Sequence, residues 1–469
     1  MVDTIFREYD IRGKVGTELD VEQTYDLTRA FLAYFATQGK QVKKIVVGMD
    51  GRISSPAIRD GMIAALVDSG VEVFFIGICP SPLMYFALHR LPVDAGLMIT
   101  ASHNPKEYNG IKICLGTKTV WGAQIQEIKK LFFSKSFLAF PGIKGSVQDY
   151  PLINEYIKWM ADHFSDLKDY DTPFIIDCGN GAGAAIIPLL VNTMGWKNVL
   201  QQCCTIDGTY PNHEADPTHL KNMQDVKQLL ATTNAQFGIG LDGDADRMGA
   251  MTKEGALVLG DQLLAIFAQE IIQKHPQAAV VFDVKMSQGL VDLINRWQGK
   301  AIMSPCGHAL IKENMIKNKA ILGGELSCHF IFADDYFGYD DGIYAMMRLL
   351  SIIRASGKTV HELVSIFPAR FTTPDVRIEC DEDKKQYIVG HIKKELQLVP
   401  GLQLLTIDGV RVTADYGWGI IRASNTQPMI NMRFESDTKL GLARIAEHVI
   451  ILLKPYFDEH QLRKLLGLL

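Results

Sequence analysis

AQFGIGLDGDADR, residues Ala235–Arg247, is an apolar run of strand type that ends in three aspartates at alternate positions. In an extended segment Asp242, Asp244 and Asp246 all project to one side. Three hard oxygen donors suit a divalent cation of the magnesium type, which keeps further positions for water or a phosphate oxygen. A calcium loop of the EF-hand type needs glycine at its sixth and glutamate at its twelfth position. Here those places hold Arg247 and Lys253. The plain alternative is an acidic turn solvated at a strand end. Arg247 balances the carboxylate charge or, more usefully, offers a fork of donors to a phosphate or sugar oxygen held nearby.

The same texture recurs along the chain. KKIVVGMDGR from Lys43, VEVFFIG from Val71, PFIIDCGNGAG from Pro173 and AAVVFDV from Ala278 are short apolar runs, most of them leading into glycine or aspartate. Helix-length amphipathic stretches, such as Val21–Thr37, Ile58–Ser69 and Gly260–Lys274, lie between such runs. Strands alternating with helices predict right-handed crossovers and a mostly parallel sheet, whose ligands gather outside the carboxyl ends of the strands. Breaks fall at AFPGIKGSVQDYP (139–151), near Thr252–Gly260, and at FPARFTTPD (367–375). Beyond the last break, TPDVRIEC and GVRVTA read as strands and Lys439 to about Leu453 as a closing amphipathic helix, the pattern of a smaller α+β domain. The expected domains are 1–150, 151–255, 256–368 and 369–469.

Bulk properties agree with several domains and exclude some functions. A chain of 469 residues with 47% hydrophobic side chains is too long for one core. Forty-eight basic against 53 acidic residues give a net charge of −5, which offers no electrostatic case for nucleic acid or an anionic membrane as the main partner. Eight cysteines are scattered without a C-x-x-C pair, which argues against both a zinc site and a secreted disulfide framework. Asp3, Arg7 and Glu8 fall where a signal peptide would be apolar, and no run reaches the roughly 18 apolar residues of a membrane helix. The expectation is a cytoplasmic protein, monomeric or weakly dimeric.

A second stretch, GLMITASHNPKEYNGIK (Gly96–Lys112), stops a strand at Ser102, His103, Asn104 and Pro105. A turn or helix-cap serine is the ordinary reading. Pro105 stiffens the loop, however, and no G-x-S-x-G signature surrounds the serine. A hydroxyl held beside a cation would carry a phosphoryl group, because the cation neutralises the charge that gathers on it. Lys112 could then move the proton of an alcohol, provided burial or nearby positive charge lowers its pKa. Two further stretches suit a sugar phosphate. In GGELSCH, Glu325 and Ser327 stand two apart, and an extended loop would aim both at neighbouring hydroxyls with His329 in the same phase. In RASNTQP, Arg422, Ser424, Asn425 and Thr426 gather donors as a phosphate-binding turn would.

With FREYDIRG (6–13), TASHNP (100–105), DGDADR (242–247), GHALIK (307–312), GELSCH (324–329) and RASNT (422–426), the chain resembles the α-D-phosphohexomutases over essentially its whole length. The likeness is to the bacterial phosphomannomutase/phosphoglucomutase branch. It implies an α/β protein of four domains around a central cleft, three related α/β domains with mixed sheets and a smaller α+β C-terminal domain. It implies an isomerase that moves a phosphoryl group between the 1- and 6-positions of mannose or glucose phosphates, with Mg2+ and a hexose 1,6-bisphosphate as activator. Ser102 would be the phosphoserine, and it would hold the metal together with Asp242, Asp244 and Asp246. His103 and Lys112 would assist proton transfer, and Arg247 would support the phosphoserine or the substrate. Tyr9, Arg12, Lys285 and His308 match positions that line the cleft. Glu325, Ser327 and His329 match the sugar-binding loop, and Arg422, Ser424, Asn425 and Thr426 the phosphate-binding loop.

The sugar loop of that branch commonly reads Glu-Met-Ser-Gly-His, whereas here Leu326 replaces methionine and Cys328 replaces glycine. A side chain at Cys328 puts the loop geometry and the sugar preference in question, because glycine can take backbone angles that cysteine resists. Gln427 stands where glutamate is common. The rival readings are a phosphoglucosamine mutase, which typically has glutamine at the place of Leu326, a metal-dependent sugar phosphatase, and a sugar-phosphate sensor without chemistry.

Overall fold

The computed structural model describes residues 1–424 and 428–469. Its contacts divide the chain into two compact units, residues 1–263 with 327–364, and residues 264–326 with 365–469.

The first unit opens with a sheet of β1 (Ile11–Lys14), β2 (Lys44–Met49), β3 (Glu72–Ile78), β4 (Ala95–Ile99), β5 (Tyr108–Leu115), β6 (Lys118–Thr119) and β7 (Val147–Asp149), in the order β1-β5-β4-β2-β3-β7 with β6 beside β5. Helices α1 (Thr24–Thr37), α2 (Ser55–Asp68), α3 (Ser81–Arg90) and α4 (Ala123–Phe133) connect the strands. Apolar residues at strand spacing (Ile45, Val47, Leu97, Ile99, Ile111, Ile113) share one core with residues at helical spacing (Leu27, Phe31, Phe35, Ile58, Met62). Each such side chain contributes about 1.5–3 kcal/mol when fully buried.

A second sheet of the same unit is built from β8 (Phe174–Asp177), β9 (Val199–Gln202), β10 (Phe237–Leu241), β11 (Met248–Thr252) and β12 (Leu257–Val258) in the order β12-β11-β10-β8-β9. Helices α5 (Ile153–His163), α6 (Ile187–Met194) and α7 (Gln224–Thr232) belong with it. Helix α8 (Gly260–Lys274) then carries the chain onward. In the second unit β13 (Ala279–Asp283) lies between parallel neighbours β14 (Lys300–Ser304) and β15 (Leu322–Gly324), with α9 (Gln288–Arg296) and α10 (His308–Asn318) as the crossovers. After β16 (Phe330–Phe332), α11 (Gly342–Ser356) and α12 (Val360–Val364), the C-terminal part forms an antiparallel sheet. Its strands are β17 (Phe371–Thr372), β18 (Val376–Glu379), β19 (Gln403–Leu405), β20 (Val410–Ala414), β21 (Gly417–Ala423) and β22 (Met429–Ser436). Its core is closed by α13 (Glu382–Leu396) and α14 (Lys439–Leu453), and α15 (Glu459–Leu465) adds Leu462 to it.

Two expectations need correction. The helix from Lys439 does not close the chain, because Asp458 caps α15 through its carboxylate after it. Nor are the sheets mostly parallel. Strands β4, β2, β3 and β7 are parallel neighbours, but β5 returns antiparallel to β4, and β11 antiparallel to β10. The physical reason is loop length. Residues 100–107 and 242–247 are too few for a crossover helix, so the next strand must turn straight back. Those two short returns are the serine loop and the aspartate loop.

Candidate active site

Both loops leave the carboxyl end of a buried strand, and they meet. Gly243 makes the approach possible: a Cβ there would stand 2.3 Å from the carbonyl oxygen of Ser102. Ser102 Oγ donates to Asp242 Oδ2 at 2.8 Å and lies 3.1 Å from His103 Nδ1. The serine backbone has φ +50, a left-handed conformation uncommon outside glycine and asparagine. It is fixed from both sides, since Ser102 N donates to Thr100 Oγ1 (2.9 Å) and Ser102 O accepts from Arg52 Nη2 (2.7 Å).

Arg52 is the residue that sequence reading missed. Fully buried and paired with Asp50, it also donates to the carbonyls of Asn104, Pro105 and Tyr108 at 2.7–3.0 Å. One guanidinium thus spans the serine loop, which needs the rigid fork that lysine lacks. The signal was Asp50-Gly51-Arg52, directly after the strand quoted above, where Asp50 receives both the Arg52 backbone N–H and its Nε.

The three aspartates converge, though not by strand alternation as expected. Residues 242–247 form a tight turn, with Ala245 at φ +55 and its N–H donating to Asp242 O (3.0 Å). Turning, rather than extension, brings one oxygen of each of the three buried carboxylates to within 4.8 Å of the others. Crowding has an electrostatic consequence. Burial, then the charges of Asp246 and Asp244, push the Asp242 carboxyl far above the usual range. Burial acts the same way on Asp246, but Lys112, His329 and Arg247 outweigh it and hold that carboxyl well below. Among the described residues, Asp244 Oδ1 is buried without a hydrogen-bond partner. An orphaned acceptor among three hard oxygens, with a serine hydroxyl on one of them, is what a divalent cation of the magnesium type would complete. The residues present therefore fit such an ion.

Lys112 lies on the return strand β5, opposite Met98. Its Nζ is 2.7 Å from Asp244 Oδ2, 2.5 Å from Asp246 Oδ2 and 3.1 Å from Ser81 Oγ. Burial does not lower its pKa as a role in proton abstraction required. Desolvation disfavours the ammonium, but Asp244, Asp246 and Asp340 overcome it and hold Lys112 above its ordinary range. The lysine is held as an ammonium that hydrogen-bonds to those carboxylates. Ser81 is a second residue the sequence concealed, because Pro80-Ser81-Pro82 reads only as a helix start. Its Oγ donates to Asp244 Oδ2 at 2.5 Å and its N–H to Asp244 O at 2.9 Å.

Arg247 and His329 face each other across an isolated bridge, with Arg247 Nε 3.2 Å from His329 Nε2. His329 Nε2 is also 3.2 Å from Asp246 Oδ1, and Ser327 Oγ is 3.2 Å from His329 Nδ1. The chain turns at Leu326–Ser327 instead of running extended, so alternation is not what orients this loop. Arg12 joins the serine loop by donating to Asn104 Oδ1 (2.9 Å), while Tyr9 is half-buried in the segment before β1.

The remaining candidates belong to the second unit. Asp283, at the end of β13, accepts from the backbone of Lys285 and of Leu326, both at 2.7 Å, and so ties two loops together. Lys285 Nζ lies 3.4 Å from Asp375 Oδ2; burial opposes its charge, but Asp375 and Asp283 prevail and raise its pKa. Glu325 Oε1 accepts from Gly307 N at 2.6 Å, immediately before His308 opens α10. Arg422, on β21, pairs with Asp408 at 2.9 Å, and Ser424 O accepts from Lys385 Nζ at 2.7 Å. Asn425 and Thr426, like Gln427, lie outside the described residues.

Comparison with known proteins gives this geometry a family. Residues 3–139, 154–255 and 259–371 match the families described as phosphoglucomutase/phosphomannomutase, alpha/beta/alpha domains I, II and III. Residues 376–452 match the phosphoglucomutase/phosphomannomutase C-terminal domain. A phosphomannomutase/phosphoglucomutase of Pseudomonas aeruginosa is 38% identical over 442 residues, 94% of each chain. A phosphoglucomutase of Neisseria meningitidis serogroup A is 37% identical over 94% of this chain and 95% of its own. The crystal structure of a phosphoglucomutase/phosphomannomutase family protein from Burkholderia thailandensis superposes with a TM-score of 0.89 at 32% identity, covering 97% of this chain and 98% of that one. Four α/β domains, a serine loop clasped to an aspartate turn, and these relatives agree: the chain belongs to the phosphoglucomutase/phosphomannomutase family of the α-D-phosphohexomutases.

Proposed function

We propose that this chain interconverts the 1- and 6-phosphates of a hexose, mannose or glucose, through a phosphoserine at Ser102 and a hexose 1,6-bisphosphate. The observation that carries this reading is the Ser102 Oγ–Asp242 Oδ2 contact of 2.8 Å beside the orphaned Asp244 Oδ1. Ser102, Asp242, Asp244 and Asp246 would hold magnesium, which when bound supplies positive charge against that of the transferred phosphoryl group. Phospho-Ser102 gives its phosphoryl group to the free hydroxyl of the sugar phosphate, and the bisphosphate returns its other phosphoryl group to the serine. In each half-reaction the proton of the attacking hydroxyl passes to the oxygen that the phosphoryl group leaves; His103, 3.1 Å from Ser102 Oγ, is placed to carry it at the serine, and the Lys112 ammonium would steady charge at the sugar oxygen. Arg52 keeps the serine loop in one conformation through both half-reactions, because four of its carbonyls share that guanidinium.

Glu325, Ser327 and His329 would bind the sugar, and Arg12, Tyr9, Lys285, His308 and Arg247 are assigned to substrate binding by their place in the family motifs. Arg422, Ser424, Asn425 and Thr426 would take the non-reacting phosphate, so that one loop serves either end of the hexose. Hexose 1,6-bisphosphate is then the natural activator, since it rephosphorylates a serine left bare. We place the enzyme in the cytoplasm, as a monomer or weak dimer, with domains at 1–150, 151–255, 256–368 and 369–469. Phosphorus NMR with magnesium and a trace of glucose 1,6-bisphosphate tests the proposal. Mannose 1-phosphate and glucose 1-phosphate should convert to the 6-phosphates. Faster conversion of glucosamine 1-phosphate, or release of inorganic phosphate alone, would overturn it.

A further inference from the structure

Outside the serine and aspartate loops, Asp177, Cys203 and His213 bring a carboxylate oxygen, a sulfur and a ring nitrogen to within 4.8 Å of one another. They come from three separate segments. Asp177 ends β8, Cys203 follows the end of the neighbouring parallel strand β9, and His213 sits in the long loop before α7. Such ligands have no local spacing, which is why the cysteine pattern of the sequence gave no sign of them.

The hydrogen bonds around His213 point to a cation. Nδ1 lies 3.0 Å from the carbonyl oxygen of Glu214 and Nε2 faces Asp177, both acceptors, so the one proton of a neutral imidazole can satisfy only one of them. With that proton on Nδ1, Nε2 presents a lone pair. It faces Asp177 Oδ2 at 3.1 Å and Cys203 Sγ at 4.0 Å. Two lone-pair atoms at 3.1 Å repel unless something positive lies between them, a second ring proton or a metal. Asp177 is fixed in turn, because its other oxygen accepts from Gly179 N at 2.8 Å. This backbone bracing of a histidine and a carboxylate is the outer-shell arrangement that orients metal ligands. A tetrahedral ion with metal–ligand bonds of about 2.0–2.3 Å needs edges of roughly 3.3–3.7 Å between ligands, between the two spacings observed.

We propose that Asp177, Cys203 and His213 form a site for a borderline divalent cation of the zinc type, distinct from the carboxylate site at Ser102. Mixed oxygen, nitrogen and sulfur donors select zinc over magnesium, whereas three carboxylates do the reverse. Cys203 is the sulfur ligand, because Cys178 and Cys204 face each other, Sγ to Sγ, at 2.8 Å. The site pins the loop that follows it. In that loop Ala215 O accepts from Gly243 N at 3.1 Å, and the Tyr210 ring lies under Arg52, so the cation would brace the backbone against which the aspartate turn rests.

The test is cobalt(II) binding to the full chain in excess magnesium under a phosphine reductant, read by the thiolate-to-cobalt charge-transfer band that carboxylates cannot produce. One band per chain is expected, bleached by stoichiometric zinc. Cys203→Ser should remove it, His213→Gln should weaken cobalt binding at least ~10-fold, and Cys204→Ser should leave it in place. Zinc should raise the Tm of the wild type but not of Cys203→Ser. No band, or a band that persists in Cys203→Ser, would overturn the proposal. A metal-free protein in which NMR finds both ring nitrogens of His213 protonated would identify a proton as the bridging charge and overturn it equally.

Discussion

Lys112 Nζ and Asp244 Oδ2 form an ion pair at 2.7 Å with side chains 4% and 0% exposed, and Ser81 Oγ bonds to both. Breaking a buried pair by removing one partner costs about 3–5 kcal/mol, because the other charge stays buried and uncompensated. Lys112→Met should lose that much stability in urea unfolding without divalent cations. Magnesium should restore a larger share in the variant than in the wild type, since a cation among the carboxylates replaces the missing charge. Equal magnesium-induced shifts of the two midpoints would show that Lys112 and the ion do not share those carboxylates.

Ser102→Ala should abolish turnover and leave binding of the hexose phosphates within a few-fold of the wild type. In the proposed mechanism the hydroxyl is the covalent acceptor rather than an anchor. Calorimetric titration with glucose 1-phosphate, beside a steady-state assay, separates the two effects. Retained turnover would remove Ser102 from the mechanism.

Asp341 caps α11 through Oδ1, which accepts from the N–H groups of Ile343 and Tyr344, and its Oδ2 accepts from Tyr156 and Tyr336. Burial nonetheless dominates and pushes its carboxyl up from 3.8 to about 6. Between those values the folded state holds a proton that the unfolded chain has released. Stability contributed by this group is therefore full below pH 4, falls as pH rises to about 6, and is flat above. A displacement of two pH units is worth up to about 3 kcal/mol. Asp341→Asn should flatten that slope, while costing about 1–3 kcal/mol at pH 7 because an amide nitrogen cannot accept from the two phenols. Unfolding free energies at pH 4, 5, 6 and 7 check the sign.

Strand runs and helix periods were legible because they record burial. The segments read as strands at Lys43, Val71, Pro173, Ala235 and Ala278 each contain one, and Gly260–Lys274 is a helix over those very residues. Candidate site residues stood out where a polar cluster interrupts an apolar run, as at Ser102 and Asp242–Asp246. What failed was inference from alternation, since the aspartates converge through a turn, and a period of two says nothing once a strand has ended. Ser81 was hidden for another reason: its partner Asp244 lies 163 positions away, and no local pattern encodes a contact of that range. Arg52 left only the local sign of Asp50 two positions before it, while the serine-loop carbonyls it holds lie 50 to 56 positions on. The sequence places no carboxylate beside Lys112, so the Asp244 and Asp246 charges that raise its pKa against burial come only with the fold.

Glu325 accepts from Gly307 N at 2.6 Å, so its carboxylate braces the entry to α10, and the proposed function gives it the sugar hydroxyls as well. Glu325→Ala should lower kcat/KM for mannose and glucose phosphates by a similar factor, because hydroxyls shared by the two sugars lose their acceptor. Loss of the backbone contact should also cost about 1–3 kcal/mol of stability. Glu325→Gln keeps an acceptor for Gly307 and should recover the stability but not the catalysis. Recovery of both would reduce Glu325 to a brace.

Cys328 adopts φ +69, the conformation for which the glycine common at this place is suited, and its side chain is 2% exposed. Its carbonyl accepts from Met248 N at 3.2 Å, which anchors the loop to β11 whatever the side chain. The backbone therefore already has the shape glycine would give it. Relief of a left-handed cysteine is worth about 1 kcal/mol, close to what glycine gives back in chain entropy and lost packing. Cys328→Gly should thus change stability by less than about 1 kcal/mol and leave the ratio of kcat/KM for mannose over glucose phosphate within about threefold, under 0.7 kcal/mol. Cys328→Val, with a branch at Cβ that left-handed backbone cannot accommodate, should destabilise by about 2 kcal/mol or more and depress activity toward both sugars. A tenfold change of the sugar ratio in Cys328→Gly would mean that the sulfur itself, rather than the loop backbone, distinguishes the two hexoses.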